Sequence, residues 1–158
     1  MIRIIAIGRI KEKSLKDLIA EYAKRLGAYD RLEIVECEEE AAPQKNSAAD
    51  NEKVKTIEGK RMLEKIGRDD YVILLDLKGK DIDSVRLSEM LDEVRSYRTG
   101  TIDFVIGGSL GTSAELQARA DFRWKLSSLT FPHQIARLLV LEQVYRAFKI
   151  LKNEPYHK

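Results

Sequence analysis

The strongest constraint on the fold is an alternation of short apolar runs with helical patterns along the whole chain. The run YVILL at 71–75 is continuously apolar, which is typical of a strand buried on both faces. Further strand-like runs occur at 1–7, 32–37 and 102–106, and a fifth could begin near 122. Strands that alternate with helices predict an α/β fold, with a mostly parallel sheet and helices on both faces.

The helical segments show apolar residues three and four positions apart. Candidate N-caps are Ser14 for the first helix and Ser84 for the third. We expect the other helices at about 49–66, 113–120 and 132–152.

Composition limits the class of protein. The 158 residues are enough for one domain, 1–158, and 44% apolar with 34% charged residues is typical of a globular chain. No apolar run is long enough to span a membrane, so we expect a cytoplasmic protein without a membrane partner. Cys37 is the only cysteine and His133 and His157 are the only histidines, which predicts no metal site.

A glycine turn follows the fourth predicted strand in FVIGGSLG, residues 104–111. It lacks the Gly-Lys-Ser/Thr of a P-loop, and its glycines do not have the G-x-G-x-x-G spacing. Two interpretations remain open: the glycines allow tight packing at a strand-to-helix corner, or they let a ligand lie against the backbone.

The last predicted helix carries more apolar surface than packing on one sheet requires. Its two stripes are Leu138/Leu141/Tyr145/Phe148 and Ala136/Val140/Val144/Ala147/Leu151. A second apolar face needs a second protein surface, so the pattern predicts a symmetric homodimer that Val144→Glu would disrupt. The alternative is a compact monomer built around this helix.

Basic residues are interleaved with the same helix and the tail after it. They are Arg137, Arg146, Lys149, Lys152, His157 and Lys158. Twofold pairing would double this patch, which would then attract a polyanion more strongly than the net charge of +2 suggests.

Several segments resemble the RlmH family, small bacterial SPOUT methyltransferases that methylate N3 of a pseudouridine in 23S ribosomal RNA. They are AIGRIKEK, LLDLKGK, DFVIGGSLG, LSSLTFPHQIAR and LEQVYRAFKILKNEPYHK. The resemblance covers the whole chain, and the C-terminal segment is its most specific part. It implies an α/β sheet with a C-terminal trefoil knot, a homodimer, S-adenosylmethionine (AdoMet) as cofactor, and 23S rRNA, expected on an assembled ribosome, as substrate.

The resemblance also implies that three loops after strands hold AdoMet. The corresponding residues are Leu75, Gly107, Gly108, Leu126, Ser127, Ser128, Leu129, Thr130 and Phe131. Leucine and phenylalanine side chains suit the faces of adenine, while backbone groups suit its polar edge.

Four residues are candidates for catalysis at the acceptor nitrogen, which must lose a proton. His133 follows Pro132 at a helix start, where the histidine cation is disfavoured, so it should be neutral and able to accept a proton. Its alternative role is a structural hydrogen bond. Arg137 could bind phosphate or a developing anion. Tyr156 and His157 lie in the tail after Pro155, which we expect to fold over the substrate.

Two other classes compete with a methyltransferase. A non-catalytic dimer that binds AdoMet or another nucleotide on the ribosome stays open, because no residue is an unambiguous base. An oxidoreductase of the Rossmann type is disfavoured by the spacing and position of the glycines.

Overall fold

The five strands of the described residues form one parallel sheet. They are β1 (Ile2–Ile7), β2 (Leu32–Cys37), β3 (Tyr71–Asp81), β4 (Ile102–Ile106) and β5 (Phe122–Lys125). Their order across the sheet is β2-β1-β4-β3-β5, and every neighbouring pair is parallel. The structure, a computed structural model, describes residues 1–45, 47–98 and 100–158. The predicted parallel α/β sheet is confirmed.

Four of the five helices in the described residues connect successive strands, as parallel neighbours require, and the fifth follows β5. They are α1 (Lys13–Leu26), α2 (Ala48–Leu63), α3 (Ser84–Tyr97), α4 (Ala114–Arg119) and α5 (His133–Leu151). Helices α1, α3 and α5 cover one face of the sheet, and α2 and α4 cover the other. No helix in the described part of the chain has the length and apolar character to cross a membrane.

Side-chain alternation along the strands divides the core into two layers. In β1, Ile4 and Ala6 face the α1/α3/α5 layer, whereas Ile5 and Ile7 face the α2/α4 layer. All four are buried. Because both faces of the strand are covered, β1 is apolar at consecutive positions, as expected for a central parallel strand.

The helix starts differ from the predicted caps. Helix α1 begins at Lys13, after Glu12, and no side chain caps it. The cap of α3 is Asp83, whose carboxylate accepts the Arg86 N–H at 2.7 Å. Ser84 instead donates its hydroxyl to Gln143 of α5 at 2.6 Å. The predicted caps Ser14 and Ser84 are therefore wrong. The residue before the first turn is Glu12 in α1 and Asp83 in α3.

Strand β3 is longer than the predicted 71–75 and irregular in its second half. Leu75 and Lys80 both pair with Trp124 of β5, so residues 76–79 bulge out of the ladder. Asp76 stabilises this bulge by accepting the Lys78 N–H at 2.9 Å and the Arg123 Nε–H at 2.7 Å. The bulge lies at the carboxyl edge of the sheet, where the cavity described below opens.

Helix α5 has two apolar stripes, but neither is left free for a partner chain, contrary to the argument from the sequence. It packs between α1 and α3 and against β4, and these contacts bury both stripes except Leu138 and Leu151, which are half-buried. Val144 and Phe148 are each 0% exposed. Val144 thus belongs to the core of the protomer, so a charge there would test folding and not dimerisation. The outward apolar residue of the first turn is Ile135, which is 39% exposed.

Candidate functional site

A cavity of about 760 Å³ opens at the carboxyl ends of β4, β3 and β5, which are neighbours in the sheet. Its walls come from three loops: the β3 bulge, the glycine turn (residues 107–112) and the loop 126–133. Ligands of open parallel sheets bind at this edge, and the volume is in the range of small-molecule sites.

Most of the predicted cofactor residues meet in this cavity. Those that line it are Leu75, Gly107, Gly108, Leu126, Ser127, Leu129, Thr130 and Phe131. Ser128 is exposed and does not line it. Trp124 adds a buried aromatic wall, and Leu129, 70% exposed, stands at the mouth. The lining is therefore largely apolar.

Gly107 and Gly108 pack closely against other residues of the protein, which the sequence did not reveal. A β-carbon on Gly107 would lie 2.7 Å from Thr112 Cγ2, and one on Gly108 would lie 2.9 Å from Glu58 Oε1. These contacts support the interpretation that the glycines allow tight packing, while Gly107 and Gly108 also line the cavity. Gly111 has φ +95°, where side chains are strained, and its open side faces Lys55.

Charged side chains are few in the cavity wall. Asp76 is neutralised by Arg123, whose Nη2 lies 2.5 Å from its carboxylate. Lys78 stands at the β3 bulge, and Lys55 reaches the cavity from α2 while pairing with the exposed Glu52. Lys55 and Lys78 are thus the basic residues of a largely apolar lining, an arrangement that favours an anionic group on a bound molecule.

His133 is the one candidate catalytic residue that lines the cavity. Its Nε2 lies 3.8 Å from the position of a β-carbon on Gly8, and Glu39 approaches the same point from the other side. Burial lowers the pKa of His133 below its ordinary value, Glu39 opposes this, and Arg137 reinforces it. His133 is therefore neutral near pH 7 and able to accept a proton.

Arg137 lies one turn later and points into the protein. It is 1% exposed and donates to Glu36 Oε2 at 2.7 Å and to the carbonyl oxygens of Gly8 at 3.1 Å and Ile7 at 3.4 Å. Its Nε has no partner among the described residues. Arg137 does not line the cavity; it holds the end of β1 against α5, next to His133.

The tail residues dock along the middle of α5, at Glu142, Tyr145 and Arg146. The Tyr156 hydroxyl donates to Glu142 at 3.2 Å, and its ring meets Tyr145 edge-on at 4.9 Å between centroids. His157 Nδ1 lies 3.2 Å from Arg146 Nη1. Glu142 and Arg146 follow His133 by nine and thirteen positions, about 14 and 20 Å along the helix at 1.5 Å per residue. Within one protomer, the tail and the cavity are therefore apart.

The predicted basic patch on α5 is largely neutralised inside the protomer. Arg146 pairs with Glu142 at 2.6 Å, Lys149 pairs with Glu154 at 2.8 Å, and Arg137 pairs with Glu36. The spacing of Glu142 and Arg146 indicates the first pair, but the sequence could not show the other two, because Glu154 lies across a turn and Glu36 lies in β2. Lys152 and Lys158 remain exposed at the tail.

Residues outside the predicted set also line the cavity, and some of them belong to elements for which the sequence indicated no site. Lys55 is the clearest case, because it is brought in by α2, fifty residues before the glycine turn. No group of three or more His, Cys, Asp or Glu in the described part of the chain could hold a metal ion.

Comparison with known proteins identifies relatives along the whole length. The family model described as "Predicted SPOUT methyltransferase" matches residues 1–157. Proteins named ribosomal RNA large subunit methyltransferase H from Desulfitobacterium hafniense (strain DSM 10664 / DCB-2) and Carboxydothermus hydrogenoformans are 53% and 50% identical over 157 residues. Those matches cover 99% of this chain and 98% and 99% of the relatives.

Two solved structures share the fold at low sequence identity. A probable methylase family protein from Haemophilus influenzae Rd KW20 has a TM-score of 0.52 at 18% identity, covering 99% of this chain and 70% of its own. TrmJ from Z. mobilis ZM4 has a TM-score of 0.53 at 14% identity, covering 100% and 73%. The family model over residues 1–157 and the relatives of near-equal length identify the chain as a member of the SPOUT methyltransferases and, among these, of the ribosomal RNA large subunit methyltransferase H family.

Proposed function

We propose that this protein is a ribosomal RNA methyltransferase of the cytoplasm that transfers a methyl group from AdoMet to N3 of a pseudouridine in 23S rRNA. The observation that carries the proposal is the cavity at the carboxyl edge, where the loops after β3, β4 and β5 converge. The relatives are named for methylation of the large-subunit rRNA, and the residues that resemble the RlmH family line this cavity. AdoMet and the pseudouridine rest on that resemblance.

The cavity suits AdoMet in both shape and chemistry. Leu75, Leu126 and Phe131 supply apolar surface for the faces of adenine, and the backbone of the glycine turn supplies hydrogen-bonding groups. Lys55 offers a cation for the carboxylate of the methionine moiety. The sulfonium of AdoMet supplies an activated methyl group when it is bound, so the proposed reaction requires no metal.

The acceptor nitrogen must lose its proton as the N–CH₃ bond forms. His133 is neutral near pH 7 and lines the cavity, so we assign it the role of proton acceptor. Arg137 acts in this proposal by fixing the Gly8 turn beside His133, which keeps the imidazole in place. Holding acceptor and donor in line supplies the rest of the rate.

Tyr156 and His157 belong to the proposed site only if a second copy of the chain delivers them. The cavity lies at the start of helix α5, and the tail packs on Glu142, Tyr145 and Arg146, about 14 to 20 Å further along the helix. A twofold axis across α5 would bring the tail of one copy to the cavity of the other. Apolar residues exposed around the mouth support such a homodimer: Leu77 is 59%, Leu129 70% and Ile135 39% exposed.

The proposal treats 1–158 as one domain with a C-terminal trefoil knot. The family model spans 1–157, which supports a single unit. The knot is supported by the resemblance and by the path of the chain, since β5 lies at the sheet edge whereas α5 returns to pack between α1 and α3.

Two measurements test the function. Calorimetry with AdoMet, S-adenosylhomocysteine, NAD and ATP should give binding only with the first two. Ribosomes from a strain that lacks the modification should then accept tritiated methyl groups from AdoMet at one pseudouridine. Binding of AdoMet without transfer to ribosomes or free rRNA would instead indicate a non-catalytic ribosome-associated module.

A further inference from the structure

The glycine turn has a second cavity on the side away from the proposed methyl-donor site. This space of about 310 Å³ lies between the turn, α2 and the acidic segment 38–42. Ser109 and Leu110 line both cavities, so the turn is a wall between them. Whatever supports the turn from behind therefore sets the position of one wall of the donor site.

Glu58 of α2 provides that support. It is 4% exposed, and its Oε1 would lie 2.9 Å from a β-carbon on Gly108, so the carboxyl packs directly against the glycine. Its Oε2 accepts the Glu40 N–H at 3.1 Å, which ties the segment 38–42 to the same helix. Glu58 does not line the donor cavity, so it cannot touch the donor or the acceptor base.

Neighbouring residues on the same face of α2 dock onto the same turn. A β-carbon on Gly59 would overlap Ser113, the residue that caps α4 directly after the turn. Lys55, one turn before, approaches Gly111, with its Cδ 4.0 Å from the β-carbon position. Positions 55, 58 and 59 share one helical face, so α2 contacts the turn at its start, at its end and at the residue that follows it.

Burial of the Glu58 carboxyl in this space carries a desolvation cost. No Lys or Arg in the described part of the chain forms an ion pair with Glu58, because Arg61 pairs with Glu40 instead, at 2.6 Å. Burial raises the pKa of Glu58, and the neighbouring Glu39 adds to the effect. An apolar side chain would pack here at a lower desolvation cost. Stability alone therefore does not explain a carboxyl at position 58, which indicates that Glu58 has a second role.

We propose that Glu58 is a positioning residue for the methyl-donor site: its carboxyl holds the glycine turn from behind and ties it to the segment 38–42. This inference rests on the proposed function of the cavity. The hydrogen bond and the packing against Gly108 need an oxygen acceptor of this length, so glutamine should replace Glu58 and aspartate or alanine should not.

The test compares Glu58→Ala, Glu58→Asp and Glu58→Gln in donor binding and in transfer to ribosomes. We expect Glu58→Ala to raise the Kd for AdoMet, and the KM for it, at least about tenfold, with kcat within about threefold of wild type. Glu58→Gln should bind AdoMet within about threefold of wild type. Glu58→Asp keeps the charge but retracts from Gly108, so it should weaken binding even if the alanine variant does not fold.

Val54→Ala is the matched control. Val54 is 5% exposed, lies one turn earlier on α2 and lines the same second cavity. It should lower the thermal midpoint while leaving the Kd for AdoMet within about twofold of wild type. The inference is overturned if folded Glu58→Asp or Glu58→Ala binds AdoMet like wild type, if Glu58→Gln is as weak as alanine, or if Val54→Ala weakens binding equally. A wild type that binds no AdoMet would overturn the proposed function itself.

Discussion

At the scale of one residue, Arg137 is a basic side chain that lies near the cavity and stabilises the fold. Its guanidinium is buried and satisfies two carbonyl oxygens at the end of β1 as well as Glu36. Only the planar fork of arginine reaches all three acceptors from one position. Arg137→Lys would keep the charge and lose most of these hydrogen bonds, whereas Arg137→Ala would lose both the charge and the bonds.

We expect Arg137→Ala to lower the free energy of unfolding by about 3 kcal/mol, because it leaves buried carbonyl oxygens without donors. Arg137→Lys should lose roughly half as much, since one charge-assisted bond can re-form. Urea denaturation measures both. A folded Arg137→Ala protein of wild-type stability that no longer transfers methyl groups would show instead that Arg137 acts in catalysis.

Asp103 is a second buried ionisable residue, at the opposite edge of the sheet from the cavity. It is 0% exposed and accepts from Arg3 at 2.8 and 3.0 Å, and Arg3 also pairs with Asp70 at 2.6 Å. Burial raises the pKa of Asp103 from 3.8 to about 6; Arg3 opposes the shift and Asp70 adds to it. Two carboxyl groups that share one guanidinium do not both ionise easily.

The raised pKa of Asp103 predicts a pH dependence of stability. Between pH 4 and 6 the folded protein holds this proton more tightly than the unfolded chain, so the stabilisation present below pH 4 is lost as the pH rises through 6. A shift of about two pH units corresponds to about 3 kcal/mol. The stability of wild type relative to Asp103→Asn, measured by urea denaturation, should fall by up to that amount between pH 4 and 6. A constant difference would contradict the prediction.

Helix α5 shows at the scale of an element what a hydrophobic pattern can and cannot predict. The pattern correctly predicts a helix with two buried faces. It does not reveal whether the second face meets another chain or another helix of the same chain, and here α1 and α3 cover it. The same limit applies to Glu58 and Lys55, because the contact of α2 with the glycine turn joins residues fifty positions apart. The strands could be predicted because buried parallel strands are short and apolar.

The exposed start of α5 is where a dimer contact can be tested without damage to the core. Ile135→Glu places a charge on a surface that is 39% exposed, so the protomer should stay folded while sedimentation shows a shift from dimer to monomer. Val144→Glu buries a charge in the protomer core and should cost at least about 3 kcal/mol of stability. Circular dichroism separates the two outcomes. A dimeric Ile135→Glu protein would place the interface elsewhere.

At the scale of the whole molecule, the tail docks away from the cavity of its own protomer. Its proposed part in the reaction therefore needs a second protomer. Tyr156 is held by Tyr145 and Glu142, and a cation, Arg146, stands over its ring at 4.8 Å. These contacts order the tail against the middle of α5, whereas the cavity opens at the start of that helix. If the proposed homodimer pairs the helices in opposite directions, each cavity is completed by the tail of the partner, and neither protomer is active alone.

Mixed dimers test this arrangement. A chain without residues 156–158 should bind AdoMet normally, because the cavity lacks tail residues, yet lose methyl transfer by about a hundredfold or more if the tail supplies a general acid–base group. A chain with Gly111→Val should lose AdoMet binding, since φ +95° strains a branched side chain at the cavity wall. Each homodimer is then inactive.

Co-expression of the two defective chains should restore activity, because a mixed dimer contains one intact cavity and the one intact tail that reaches it from the other chain. Random pairing gives half of the molecules this composition, so roughly a quarter of the wild-type sites should work. If the tail acted on the cavity of its own chain, each mixed dimer would contain no complete site and activity would stay at the level of the single mutants. Full activity of the truncated homodimer would exclude both arrangements and leave His133 as the proton acceptor without help from the tail.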